Sequence, residues 1–296
     1  MNSTGKINVN LHGHVLAGFD DWWRKQYGIS GQNLAGILAD KCIEKDLKIY
    51  AITDDVFDNQ NGESRFSQIF EEARRLPNNY YVERLGNNSF VVSKNNEDVY
   101  FIDGQSLTIK EKERNYELLT FGKSSLPEFN SFDESINYLH NEGLLAIAEH
   151  PLAEGHYGNM KEKLKELCGE RKIDAVEYNG KIAVPNWLSW MPKFKGFTRE
   201  RNESATKIAR SYDIPVIAND DSDTLAQIGC AYSIFPKEKI KFDNGNNLVQ
   251  SIGELIKQNN FDIKEGYADF LDWIRFTVWN VTVKEQLLGL REKFLK

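Results

Sequence analysis

The chain has 296 residues, with 37 Lys and Arg against 44 Asp and Glu, and a formal charge of −7 with neutral histidines. An aromatic content of 12%, six Trp included, excludes a disordered polymer, and the acidic balance argues against generic attraction to nucleic acid or membrane surfaces, which need clustered positive charge. There is no run of about 18 apolar residues and no leader-like stretch in MNSTGKINVN, so a cytoplasmic protein that does not enter a membrane is expected.

In chain order, Ile7, Val9 and Leu11 alternate with Asn8, Asn10, His12 and His14, the period of two of a half-buried strand, which groups the two histidines. Leu34, Ile37, Leu38, Cys42 and Ile43 then recur at helical spacing, and LKIYAITDD follows as a strand ending in acid. NNSFVVSKNNEDVYFIDG reads as a hairpin and LLTFG as a further strand. Ser131 and Glu134 have capping-box spacing before a helix that Gly143 ends, and LLAIAEHP is a buried strand. A helix from Met160 to Leu167 precedes IDAVEYN, and one from about Glu200 to Tyr212 precedes IPVIANDD. From Gly266 on, Tyr267, Phe270, Leu271, Ile274 and Val278 recur at helical spacing. The three cysteines, Cys42, Cys168 and Cys230, are odd in number and far apart, which suits reduced core residues.

These strands are apolar until their C-terminal ends, where His12 with His14, Asp54 with Asp55, His150, Glu177 with Asn179, and Asp220 with Asp221 and Asp223 gather. One rim carrying the polar residues is the layout of a β/α barrel. Imidazoles and carboxylates converging there are costly without a cation, because like charges at short range cannot all stay ionised. Mixed nitrogen and oxygen donors suit Mn, Zn or Fe(II) better than Ca, and the number of carboxylates favours one or two ions. After the Glu177 strand, the stretch from Lys181 to Arg201 is basic and holds Trp187 and Trp190, a candidate surface for phosphate and base, or a loop whose tryptophans seal the barrel.

In this setting NLHGH (His12, His14), AITDD (Thr53, Asp54, Asp55), AEHP (His150, Pro151) and NDDSD (Asp221, Asp223) resemble, in order, the four motifs of the polymerase and histidinol phosphatase (PHP) superfamily of metal-dependent phosphoesterases. The resemblance spans roughly residues 5 to 260. It implies a distorted, TIM-like β/α barrel over 1–262 with a C-terminal helical extension over 263–296, and hydrolysis of a phosphate ester by a metal-bound hydroxide. The implied metal ligands are His12, His14, Asp55, His150, Asp221 and Asp223. Asp54, Glu117, Glu177 and His156 are candidates for further ligands or their supports, and Lys181, Arg199, Arg201 and Asn179 for phosphate contacts. The substrate class is a phosphorylated small molecule, a nucleotide or a nucleic-acid end. The sequence departs from the family at Asp55 and Asp223, where the family has His, at Ser106, where it has a bridging Glu, and at Glu117, where it has another His. Those departures motivate an alternative, a PHP-like protein of weakened catalysis acting as a binding or regulatory module. A C–N hydrolase of the amidohydrolase kind is a minor third reading, since no lysine stands at a strand end to bridge metals.

Overall fold

The computed structural model describes residues 5–14, 32–55, 65–111, 114–123, 125–152, 161–180 and 199–269. Strand β1 (Lys6–Asn10) and strand β2 (Leu47–Asp55) lie parallel, linked by helix α1 (Leu34–Glu44). The helix starts where the Asn33 side chain accepts a hydrogen bond from the Gly36 amide, and it buries Leu34, Leu38 and Cys42 at four-residue spacing. Helix α2 (Arg65–Ala73), which the sequence reading did not anticipate, buries Phe66, Ile69, Phe70 and Ala73 along one stripe.

The chain then doubles back on itself. Strands β3 (Tyr80–Arg84), β4 (Ser89–Lys94) and β5 (Glu97–Glu111) form an antiparallel ribbon, and β4 turns into β5 through Asn95 and Asn96, both at positive φ (53° and 65°). Two such residues are what a two-residue hairpin loop matched to strand twist requires, and Asn tolerates them better than most. β5 lies parallel to β2 but antiparallel to β6 (Arg114–Phe121), which is in turn antiparallel to β7 (Ile147–Ala148). Helix and strand do not alternate here, as the expected hairpin followed by a further strand implies, because β5 connects to β6 directly.

Regular alternation resumes with α3 (Phe132–Asn141), β7, α4 (Lys161–Gly169), β8 (Ala175–Asn179), α5 (Arg199–Ser211) and β9 (Val216–Asn219), with β7, β8 and β9 mutually parallel. Ser131 caps α3 as expected, its hydroxyl accepting from the Glu134 amide at 3.2 Å, while Glu134 reaches the amide of Asn130. β10 (Tyr232–Pro236) pairs antiparallel with β1, and β11 (Asp262–Lys264) pairs with β10 at the sheet edge. The expected division between 262 and 263 thus falls inside a strand, and residues 270–296 of the expected C-terminal helices lie outside the described residues.

The sheet order β11-β10-β1-β2-β5-β6-β7-β8-β9 curls into a nearly closed barrel whose seam lies between β9 and the β10–β11 edge, where the Ser233 hydroxyl accepts from the Ala218 amide at 3.0 Å and donates to the Ala218 carbonyl at 3.2 Å. Side chains also tie the end of β1 to the residues at the end of β9. The Leu11 amide donates to the Asn219 side-chain oxygen at 2.8 Å, Asn10 donates to the Asp220 carboxylate at 3.0 Å, and the Asp220 amide donates back to Asn10 at 2.9 Å. These contacts satisfy strand groups that a continuous ladder would otherwise pair. Alternate residues of the barrel strands, among them Val9, Ile49, Ala51, Ile102, Leu119, Phe121, Ile147, Ala175 and Ile217, fill the interior together with Leu248, Ile252, Leu255 and Ile256 of α6 (Gly245–Lys257). The opposite faces of the strands pack against α3, α4 and α5 on one side and α1 and α2 on the other. Cys42 and Cys168 are free and buried, and Cys230 is free and partly buried.

Candidate metal centre

Moving along any interior row away from α6, apolar residues give way to polar ones. On β5 the row runs Ile102, Gly104, Ser106, Thr108, and on β8 it runs Ala175, Glu177, Asn179. β6 runs the other way in space, so its polar residue, Glu117, stands near its N-terminal end, with Leu119 and Phe121 deeper. The polar ends meet in one buried cluster at the barrel mouth.

His12 and His14 reach this cluster because regular β1 pairing stops at Asn10. Ile7, Val9 and Leu11 occupy the interior, so strict alternation would carry His12 to the outer face, but past Asn10 the chain crosses the mouth. There Gly13 bridges Ser222, and the His14 amide donates to the Ser222 carbonyl at 3.1 Å. Glycine is required at 13, since a Cβ would fall 1.9 Å from the Tyr50 hydroxyl. His150 and Asp221 both have positive φ (21° and 46°), an unusual backbone that persists only when its surroundings enforce it. Their restraints are visible: the His150 amide donates to Glu177 at 3.0 Å, and Asn179 donates to Asp221 at 2.8 Å.

Two groups of three ligand atoms result, His12 with His14 and Asp221, and Glu117 with Glu149 and His150. In the first, the two Nε2 atoms are 2.9 Å apart and lie 3.4 and 3.3 Å from Asp221 Oδ1. In the second, His150 Nε2 lies 3.3 Å from Glu117 and 3.2 Å from Glu149 Oε1, and that same Oε1 is 3.3 Å from His12 Nε2. The Nδ1 atoms are already committed. His14 Nδ1 faces the Thr53 carbonyl at 3.1 Å, which can only accept, and His12 Nδ1 faces Glu177 at 2.7 Å. With both Nδ1 protonated, the facing Nε2 atoms present lone pairs to each other, an arrangement that either a proton on one of them or a metal ion between them reconciles. The separations suit a divalent ion, because donors about 2.1 Å from a metal are spaced about 3.0 Å at a right angle and about 3.4 Å at a tetrahedral one.

Electrostatics agree with this reading. Burial opposes charging His12, but Glu177, Asp221 and Glu149 outweigh it and raise its pKa well above the ordinary value. Burial likewise opposes charging His150, and Glu117, Glu149 and Asp221 raise it to about 10. Burial alone would raise the Glu149 carboxyl, yet His12 and His150 bring it down to about 2. The pocket is a cation trap in which protons and metal ions compete for the same nitrogens.

Glu177 is the hub beneath the ligands. Its carboxylate accepts from His12 Nδ1, the Asn219 side chain at 3.0 Å, the Asn179 side chain at 3.2 Å and the His150 amide, so it orients ligands without joining either group. Asp220 is structural: it accepts from Asn10, the Ser222 amide and the Gly229 amide. Burial, partly relieved by those donors, raises its carboxyl to about 7.

Of the residues expected from sequence, the structure brings together His12, His14, His150, Asp221 and Glu117, with Glu177 and Asn179 in support. Asp223 is buried in the same loop, its amide bonded to Gln227 at 2.8 Å, but it joins neither group. Asp54 and Asp55 end β2 in register with Gln105 and Ser106, and their side chains lie outside the described set. His156, Lys181, Trp187 and Trp190 lie outside the described residues as well. Arg201 donates to the Leu152 carbonyl at 3.5 Å, two residues past His150. Arg199 is engaged elsewhere, pairing with Glu203 at 2.9 Å and stacking over Tyr267. Sequence reasoning missed Glu149. The acid beside His150 in AEHP was a visible signal, but strand alternation sets neighbours on opposite faces, and only the turn at His150 brings both side chains inward.

No family model matches the chain, and no curated protein matches it. Among solved structures, PsfC from Pseudomonas syringae PB-5123 is similar with a TM-score of 0.58 at 12% identity, over 96% of this chain and 100% of that one. A two-domain protein from Bacteroides vulgatus ATCC 8482, described as containing a predicted PHP-like metal-dependent phosphoesterase, is similar with a TM-score of 0.52 at 11% identity. That match covers 88% of this chain and 65% of the other. The likeness extends to the fold: this chain shares the α/β barrel of these two structures. Among the described residues, no helix is long and apolar enough to cross a membrane.

Proposed function

We propose that the chain is a divergent PHP-type phosphoesterase that uses one or two divalent ions, Mn, Zn or Fe, to hydrolyse a phosphate ester. The observation that carries this reading is the pair of Nε2 atoms 2.9 Å apart whose Nδ1 partners are already fixed, with Asp221 closing the triangle. His12, His14 and Asp221 would hold one ion, and Glu117, Glu149 and His150 a second. Asp54, Asp55 and Asp223 stand close enough in sequence to complete either shell.

Bound divalent ions supply charge that polarises a phosphoryl oxygen and acidifies water. The protein's own part is positioning. Glu177 and the Thr53 carbonyl hold the two histidines in the tautomer whose Nε2 faces the centre, and Asn179 aims Asp221. Burial of His12, Glu149 and Glu177 keeps bulk water from screening these interactions. Arg201, which donates to the Leu152 carbonyl two residues past His150, is proposed as a contact for a substrate phosphate. Lys181 and His156 are proposed as further contacts. The substrate is proposed as a phosphorylated small molecule or nucleotide, with a nucleic-acid end as a further form of the same ester.

Elemental analysis of the purified protein, with Mn-supplemented hydrolysis of p-nitrophenyl phosphate and of a labelled oligonucleotide, tests the proposal. His12→Ala and Asp221→Ala are each expected to abolish bound metal at the first group and hydrolysis of both substrates. Full occupancy with full turnover in both variants would overturn it. The binding-module alternative draws its motivation from the replaced ligands at Asp55, Ser106 and Asp223, and the presence of Glu149 at the same centre weakens only the part that rests on Ser106.

A further inference from the structure

The two groups of ligand atoms are not independent, because they meet at one carboxylate oxygen. Glu149 Oε1 lies 3.3 Å from His12 Nε2 in the first group and 3.2 Å from His150 Nε2 in the second. Its other oxygen, Oε2, accepts a hydrogen bond of 2.7 Å from the Ser106 hydroxyl. Both side chains are buried, Glu149 at 2% and Ser106 at 1% exposure, so neither is free to swing into solvent. The backbone holds Glu149 as well: its amide donates to the Glu117 carbonyl on β6, alternation from interior Ile147 points its side chain inward, and the positive φ of the following residue, His150, brings that side chain inward beside it.

We infer that Glu149 is the carboxylate that joins two cation sites into one binuclear centre, and that Ser106 is the positioning residue that sets its rotation. The inference rests on reading the site as a metal centre and assigns the junction to a residue on the β7 side of the barrel. A hydroxyl donating to one carboxylate oxygen leaves that oxygen a weaker donor to metal and directs the other, Oε1, at the midpoint between His12 and His150. A carboxylate shared by two cations offsets part of their mutual repulsion, which lessens the penalty that occupancy of one site places on the other. Without it, the second group retains only Glu117 and His150 among the described residues.

The experiment is a Mn(II) titration of metal-depleted protein, followed by calorimetry and by electron paramagnetic resonance. Wild type is expected to bind two ions per chain and, when loaded, to show the spectrum of an exchange-coupled pair. Glu149→Gln keeps the shape and removes the charge; it is expected to bind one ion, at the His12 group, with an uncoupled spectrum. Ser106→Ala is expected to weaken the second ion about 10-fold or more with two sites remaining, and Ser106→Thr, which restores a hydroxyl, to recover most of that loss. Circular dichroism of each variant reports folding, and if Glu149→Gln fails to fold, the Ser106 pair decides. Two coupled ions in Glu149→Gln, or unchanged second-ion affinity in Ser106→Ala, overturn the inference while leaving the metal-centre reading intact. Wild type that binds no ion overturns both.

Discussion

At the end of the barrel covered by α6, the interior is a continuous apolar packing in which Phe121, Leu119, Ile102 and Ile217 meet Leu248 and Ile252. At the opposite mouth the same strands present Glu117, Glu149, Glu177 and, beyond their ends, His12, His14, His150 and Asp221, all largely buried. The first arrangement releases free energy on folding, at about 25 cal/mol for each Å² of apolar surface removed from water. The second costs free energy unless charges are matched, since burying an uncompensated carboxylate is worth several kcal/mol against folding. One end stabilises the barrel and the other uses part of that stability to hold ligands close together.

If that division holds, damage at the two ends separates into different observables. Ile252→Ala, at the closed end, is expected to lower unfolding free energy by about 2–5 kcal/mol in urea denaturation while leaving metal stoichiometry unchanged. Chelation acts at the other end. Adding EDTA to metal-loaded protein should lower stability by about 2.7 kcal/mol when free metal had stood at about 100 times its dissociation constant, and Ile252→Ala should show the same decrement. An EDTA effect that vanished in Ile252→Ala would show the two ends to be one cooperative unit.

Glu177→Gln tests the layer between them. It removes the charge that His12 Nδ1 and three other donors share, so metal affinity should fall about 10- to 100-fold by titration, and the urea midpoint of metal-free protein should fall as well, because buried His12 loses its carboxylate partner. Ser131→Ala lies remote from both ends. Losing the cap on α3 should cost about 1 kcal/mol and leave metal affinity unaltered, which calibrates the larger effects.

Much of this centre was legible before folding was considered. The spacing of His12 and His14, the acids of NDDSD and the position of Glu177 at a strand end each marked one rim, because barrel strands are apolar until they leave the core. The hairpin at Asn95 and Asn96 and the Ser131 cap were readable for local reasons, the backbone at each site asking for a particular residue type. Two features were not, and Glu117 was reached only through the family resemblance: it enters from the beginning of a strand, since β6 runs against its neighbours, so a rule that looks for ligands at C-terminal ends passes over it. Helices α2 and α6 carry clear apolar stripes that the search for strand ends overlooked. Glu149 stands on the interior row of Ile147, but its meeting with His150 depends on the positive φ at His150 itself, and no local pattern of apolar and polar residues encodes that.

The amino-acid order alone specified the elements, the rim and most of the side chains capable of binding metal, because periodicity and strand-end polarity are local properties of the chain. Which carboxylate joins the two groups of ligands, and which acid merely ties strand ends together, depended on contacts between residues far apart in sequence. Glu149 and His12 are brought within 3.3 Å, and Asp220, just past the end of β9, is tied to Asn10 at the end of β1. Closure of the barrel makes those meetings, and it acts where the strands have ended and their alternation no longer governs which way a side chain turns.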